Sequence, residues 1–166
     1  MIKIKETDII AAANKGMDEF LQLLTDAYIA AIDGELNEKT MPLLNGNQHT
    51  LLAYRYFTDE IREGGFIQLI QNGYGAYIFD NPFAKAMRLY GAKDLSKLIY
   101  KAKEIYDANK KELERETSEE EFTAMYVDFE IFDELEEQYF EMEEEQTAIL
   151  ASYVDEHIAD FAEIEK

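Results

Sequence analysis

The sequence predicts an all-α fold of seven to nine helices, several of them short, and three observations predict it. Apolar residues recur at three- and four-residue spacing along most of the chain. No alternating strand pattern of useful length interrupts them. The breaks fall at Gly, Asn-Gly, Pro and Ser-x-x-Glu signals, which start and stop helices. No internal repeat points to a solenoid. At 166 residues the chain reads as one domain, 1–166, with a near-neutral part (1–103) and a strongly acidic helical part (104–166). A chain of this length buries roughly 70% of its unfolded surface.

The elements follow in order. Thr7 is the expected N-cap of a first helix, with Ile10, Met17, Phe20, Leu21, Leu24 and Tyr28 on one face and a stop near Gly34. A loop with Pro42 and an Asn45-Gly46 turn signal leads to a long helix over 48–63. Its apolar stripe is Leu51, Tyr54, Phe57 and Ile61, and Gly64 is its expected left-handed terminator. Gly65 turns the chain into the short helix "FIQLIQ", which ends at Asn72-Gly73, and another short segment covers 74–79. Asn81 and Pro82 open a helix with Phe83, Ala86, Met87 and Tyr90 inward. Asp94 caps the next, which runs to about residue 115 with Leu95, Leu98, Ile99, Ala102, Ile105 and Tyr106 inward. Ser118 and Glu121 form a capping box. The rest, to about residue 161, reads as two or three helices. Phe129, Phe132, Leu135, Tyr139 and Met142 make one stripe; Ile149, Tyr153 and Ile158 make the last.

Charge is the feature the fold does not explain. The formal net charge is −20. Residues 1–103 hold 13 acidic and 12 basic side chains, whereas residues 104–166 hold 23 acidic and 4 basic. Between residues 116 and 165 there are 19 carboxylates and no lysine or arginine. A solubilising role alone predicts charge spread over the surface. Such acidity disfavours direct nucleic-acid or anionic-membrane binding and favours basic partners.

The densest stretch is "DFEIFDELEEQYFEMEEE", 128–145, with ten carboxylates in eighteen residues. On a helix, Glu130, Glu134, Glu137, Glu141 and Glu145 are spaced 4, 3, 4 and 4 and share one face, which Asp133, Glu136 and Glu144 widen. Four i,i+4 and four i,i+3 like-charge pairs cost on the order of 2–4 kcal/mol together. Burial of the aromatic stripe has to offset that. The seven candidates for meeting a basic partner are Glu130, Asp133, Glu134, Glu137, Glu141, Glu144 and Glu145.

Catalytic chemistry has little to stand on. There are no cysteines, which excludes disulfides, thiolate metal sites and cysteine nucleophiles. The two histidines, His49 and His157, lack a glutamate three residues earlier, so the di-iron bundle pattern is missing. The EF-hand spacing and a phosphate-cradling lysine loop are missing too. No catalytic residue, metal site or cofactor is expected. The N-terminus does not read as a signal peptide and no stretch approaches a membrane span, so a cytoplasmic protein is the expectation.

The run "REGGFIQLIQNGYGAYIFDNPFAKAMRLYGA", 62–92, carries more glycine than one helix tolerates. It reads as tight interhelical corners, with Gln68 and Asn72 bonding loop backbone, or as a polar notch built from Gly64, Gly65, Phe66, Gln68, Asn72 and Gly73.

That run, with its "LYGA" ending, resembles the bacterial DNA mimic protein 19 family. The resemblance rests on Gly64, Gly65, Phe66, Gln68, Asn72, Gly73 or Gly75, and Gly91-Ala92, and extends to "YVDFEIFDELEEQYF" and "YVDEHIADF". Glu63 stands where the family usually has asparagine, and Leu69 and Ile70 follow the Gln where a second aromatic is frequent. The resemblance implies an all-α fold. For some members it implies an acidic surface that imitates DNA, occupies a basic DNA-binding protein such as a transcription factor or nucleoid protein, and accompanies homodimers. The expected function is a non-enzymatic DNA mimic. The alternative is an interaction module working through the Gly64–Asn72 corner, with the acids only solubilising.

Overall fold

A computed structural model describes all residues, 1–166. Nine α-helices dominate it: α1 (Glu6–Lys15), α2 (Met17–Ala31), α3 (Gly46–Gln71), α4 (Gly75–Phe79), α5 (Phe83–Leu89), α6 (Lys93–Glu114), α7 (Glu119–Asp128), α8 (Ile131–Glu156) and α9 (Ile158–Phe161). The all-α expectation holds. Two three-residue strands, β1 (Lys3–Lys5) and β2 (Glu163–Glu165), escaped the sequence reading because each is a single alternation. No helix is long and apolar enough to cross a membrane. The chain divides into two compact units, residues 1–55 with 147–166 and residues 56–146.

In the first unit β1 and β2 pair in parallel, with Ile4 opposite Ile164 and Lys5 opposite Glu165. The first predicted helix is in fact two. Gly16, at φ 151°, separates α1 from α2, and its missing Cβ leaves room for the Glu19 carboxylate. The break turns Ile10 to solvent while Phe20, Leu21, Leu24 and Tyr28 stay buried. Asn45 and Gln48 cap α3 reciprocally: each side-chain oxygen accepts the other's backbone N–H at 2.8 Å. Tyr28 Oη and Gln48 Nε2 both donate to the Phe161 carbonyl, at 2.7 and 3.0 Å. The C-terminal buried stripe is Leu150 and Val154, one residue on from the expected Ile149 and Tyr153. His157 stacks on Tyr153, ring centroids 4.0 Å apart.

The second unit is organised around aromatic rings. Phe57 contacts Phe66, Phe83 and Tyr139; Phe66 stacks on Phe132 at 5.1 Å; Phe79 meets Tyr106 at 4.8 Å. Rings of this size bury enough area to hold short helices together. The expected boundaries shift by a residue or two. Asn81 donates back to the Ala76 and Tyr77 carbonyls instead of capping α5, and Asp94 lies in the first turn of α6 rather than before it. The Ser118–Glu121 capping box on α7 is present as expected.

The first corner is a kink in α3 at which two helical stretches meet directly, as the sequence reading expects of a tight interhelical corner. Gly65, rather than Gly64, takes the left-handed conformation (φ 75°, ψ −168°). At Gly73 (φ 89°) a Schellman pattern closes α3, with Tyr74 N–H bonding the Leu69 carbonyl and Gly73 N–H the Ile70 carbonyl.

Candidate functional site

Helix α8 carries the acidic segment through the second unit. Successive residues advance about 100° around an α-helix. Taking Asp133 as zero, Glu144, Glu137, Glu141, Glu134 and Glu145 follow within an arc of about 120°. Phe132, Leu135, Tyr139 and Gln146 occupy the opposite side and are buried. All six acids of the arc are exposed. They extend over about 18 Å of helix, or one charge per roughly 3 Å, close to the 3.4 Å per phosphate of a single DNA strand.

The structure therefore brings together six of the seven expected side chains. Glu130, the seventh, is also exposed, but it lies in the turn between α7 and α8 and not on the helix. None of the seven makes an ion pair with lysine or arginine. The ion pairs of the second unit sit elsewhere: Arg62 with Glu143, Lys103 with Asp107, Lys110 with Asp80, and Arg115 with Glu112 and Glu121. Glu134 receives only an amide hydrogen bond, from Gln138 at 3.4 Å.

Two acids of the same segment do something different. Glu136 and Glu143 fall about 20° apart on the helix flank that meets α3. Glu143 is largely buried and pairs with Arg62. Glu136 is half-buried, and its Oε2 accepts the Phe66 backbone N–H at 2.9 Å. That N–H opens the second half of kinked α3, directly after the non-helical Gly65. Burial pushes the Glu136 carboxyl up from the ordinary carboxylate range; the Phe66 N–H pulls it partly back and the Asp133 charge adds to the rise. Glu136 thus does not widen the exposed face, as its spacing with Asp133 alone suggested. Its azimuth in the sequence already separated it from the arc.

The corner residues are engaged in holding one another. Phe66 is fully buried. Gln68 Nε2 and Asn72 Nδ2 both donate to Glu60 Oε2, at 2.8 and 2.9 Å, rather than to loop backbone. Tyr126 Oη donates to the Gly64 carbonyl at 2.8 Å, which ties α7 to the same kink. A Cβ at Gly65 would collide with the Glu136 carboxylate, so a side chain there would push that carboxylate off the Phe66 N–H and strain the backbone as well. Sequence reasoning missed Glu60 and Tyr126; only the close approach of α3, α7 and α8 reveals them.

Cations concentrate on other helices. Of the 16 lysines and arginines, eight lie between residues 85 and 111. Lys85 and Arg88 on α5 and Lys93, Lys97 and Lys101 on α6 are exposed.

Comparison with known proteins bears on this arrangement. A family model described as DMP19-like protein matches residues 42–157. The chain is also 32% identical over 145 residues, 87% of either chain, to the DNA mimic protein DMP19 of Neisseria meningitidis serogroup B (strain ATCC BAA-335 / MC58).

Proposed function

This chain belongs to the DMP19-like protein family, and from that membership we propose that it is a DNA mimic acting by occupancy rather than by catalysis. The exposed carboxylates of Glu130, Asp133, Glu134, Glu137, Glu141, Glu144 and Glu145 take the places of phosphates. They engage lysines and arginines of a basic DNA-binding protein, such as a transcription factor or nucleoid protein, and block its DNA site.

One observation carries this reading: the arc of α8 carboxylates is exposed and left without a single internal counter-ion. The fold has cations available on α5 and α6 and does not use them to neutralise it. Ile131 and Phe140, 61% and 50% exposed, lie on the same helix and add apolar contact to a charged surface. The corner-binding alternative loses support because the amides of Gln68 and Asn72 are already committed to Glu60.

The test immobilises the full chain, captures DNA-binding proteins from lysate and elutes with a salt gradient. An acidic control protein of similar charge sets the background. Enrichment of DNA-binding proteins over that control, with late elution lost in the E134Q/E137Q/E141Q variant, supports mimicry. Equal capture by the control, or retention unchanged by the triple substitution, overturns it. Purified captured protein should be released from a labelled DNA duplex by the wild-type chain, with an affinity that falls steeply as salt rises.

A further inference from the structure

We infer that Glu136 is a positioning residue: seated on the Phe66 backbone N–H at the kink of α3, it sets the rotation of α8 that turns Asp133, Glu134, Glu137, Glu141, Glu144 and Glu145 outward. This rests on the mimicry reading and deepens it. It joins the two surfaces that the sequence offered as rivals, making the glycine corner the mount of the acidic helix.

Three features converge. The contact is long-range, Glu136 to Phe66, so it fixes one helix against another and not a turn within one. The kink is shaped to admit the carboxylate: Gly65 lies at φ 75° with no side chain where Glu136 stands. And the corner is braced from a third helix by the Tyr126 hydroxyl on the Gly64 carbonyl. On α8 itself Glu143, held by Arg62, lies on the same flank as Glu136. A helix held at two flank positions two turns apart has its rotation fixed. An apolar stripe alone tolerates small rotations, because burial is not directional. Groups facing Glu136 are Asp133 on its own helix and Tyr126 on α7; neither is a cation, so the Phe66 N–H is its one polar clasp in the structure.

The full chain serves for the test. E136Q keeps a carbonyl acceptor for the Phe66 N–H and removes the charge. E136A removes both. E136D keeps the charge and withdraws it by one methylene, a second way to open the clasp should E136A not fold. Hydrogen exchange at the Phe66 amide reads the clasp. Relaxation of the six Asp and Glu side chains by a neutral soluble paramagnet reads their outward turn. Salt-dependent binding of a fluorescein-labelled lysine 20-mer counts the charges in contact.

E136Q is expected to match wild type in all three. E136A and E136D are expected to speed Phe66 exchange by about tenfold and to redistribute the paramagnetic relaxation among the six. E137Q, the contact control, is expected to lower the salt slope by about one. If E136Q lowers that slope as E137Q does, Glu136 is a contact group and the positioning role is wrong. If E136A or E136D leaves both the exchange and the relaxation pattern at wild-type values, it is equally wrong. These outcomes do not depend on mimicry, which fails separately if the triple glutamine variant captures DNA-binding proteins as wild type does.

Discussion

Tyr139 donates its hydroxyl hydrogen to Thr58 Oγ1 at 2.7 Å, with both side chains buried. The ring also meets Phe57 edge-on, centroids 5.1 Å apart and planes at 88°. The inner face of the acidic helix is thus held by aromatic area together with directional bonds, the Gln146 side-chain oxygen also accepting the Leu95 N–H at 3.2 Å. Tyr139→Phe keeps the ring and deletes the bond, and it is expected to cost about 1 kcal/mol. Urea denaturation should show a lower midpoint at unchanged slope.

Gly65 and Gly73 both adopt left-handed conformations, but a Cβ at Gly73 meets nothing within 4 Å while one at Gly65 meets the Glu136 carboxylate. G73A is expected to cost about 1 kcal/mol, the conformational penalty alone. G65A adds displacement of a half-buried carboxylate from its N–H donor, a further ~1–3 kcal/mol. Paired denaturation curves check the ranking; equal losses would deny the carboxylate its place in the kink.

Like charges crowd the outer face of α8, and Glu134, Glu137 and Glu141 take part in most of the three- and four-residue pairs. E134Q/E137Q/E141Q relieves about five such pairs at about 0.2–0.5 kcal/mol each, a gain of about 1–2 kcal/mol. Thermal melts at low salt should show the gain, and high salt should shrink it by screening. On the mimicry proposal the same variant loses capture of DNA-binding proteins, so stability and binding would move in opposite directions.

Glu136 also gives the protein a signature in pH. Its carboxyl is raised in the fold, chiefly by burial. A group raised on folding contributes stability that is present below its unfolded value and is lost as pH climbs through the folded one. Wild type should therefore gain stability relative to E136Q as pH falls from about 7 to about 4, where carboxyls ordinarily titrate. Denaturation of both proteins across that range, compared as a difference, isolates this group from the other carboxylates. A difference that stays flat would contradict the raised carboxyl.

Much of this was written in the sequence, and the rest had physical reasons not to be. The stripe of Leu51, Tyr54, Phe57 and Ile61 and the Ser118–Glu121 box are local patterns, and both appear in the structure. The exposure of Glu134, Glu137 and Glu141 follows from where the apolar stripe lies. The strand pairing of residues 3–5 with 163–165 depends on segments at opposite ends of the sequence, which three residues apiece cannot advertise. The shift from Gly64 to Gly65 as the left-handed residue turns on a carboxylate arriving from α8, and the roles of Glu60 and Tyr126 depend on the same long-range approach. Which acids of a dense run are clasps and which are free is decided by azimuth against a neighbouring helix, and the run of letters alone hides it.

Lys85, Arg88, Lys93, Lys97 and Lys101 form no ion pair with the acids of α8, so pairing does not cancel the charges of the 56–146 unit against one another and leaves room for an electric moment. A body with such a moment is torqued as it diffuses into the field of a basic surface, and it arrives with its negative side leading. The lysines of α5 and α6, which on this reading touch no partner, would still shape how quickly one is found: neutralising them should change the association rate and leave dissociation almost as it was.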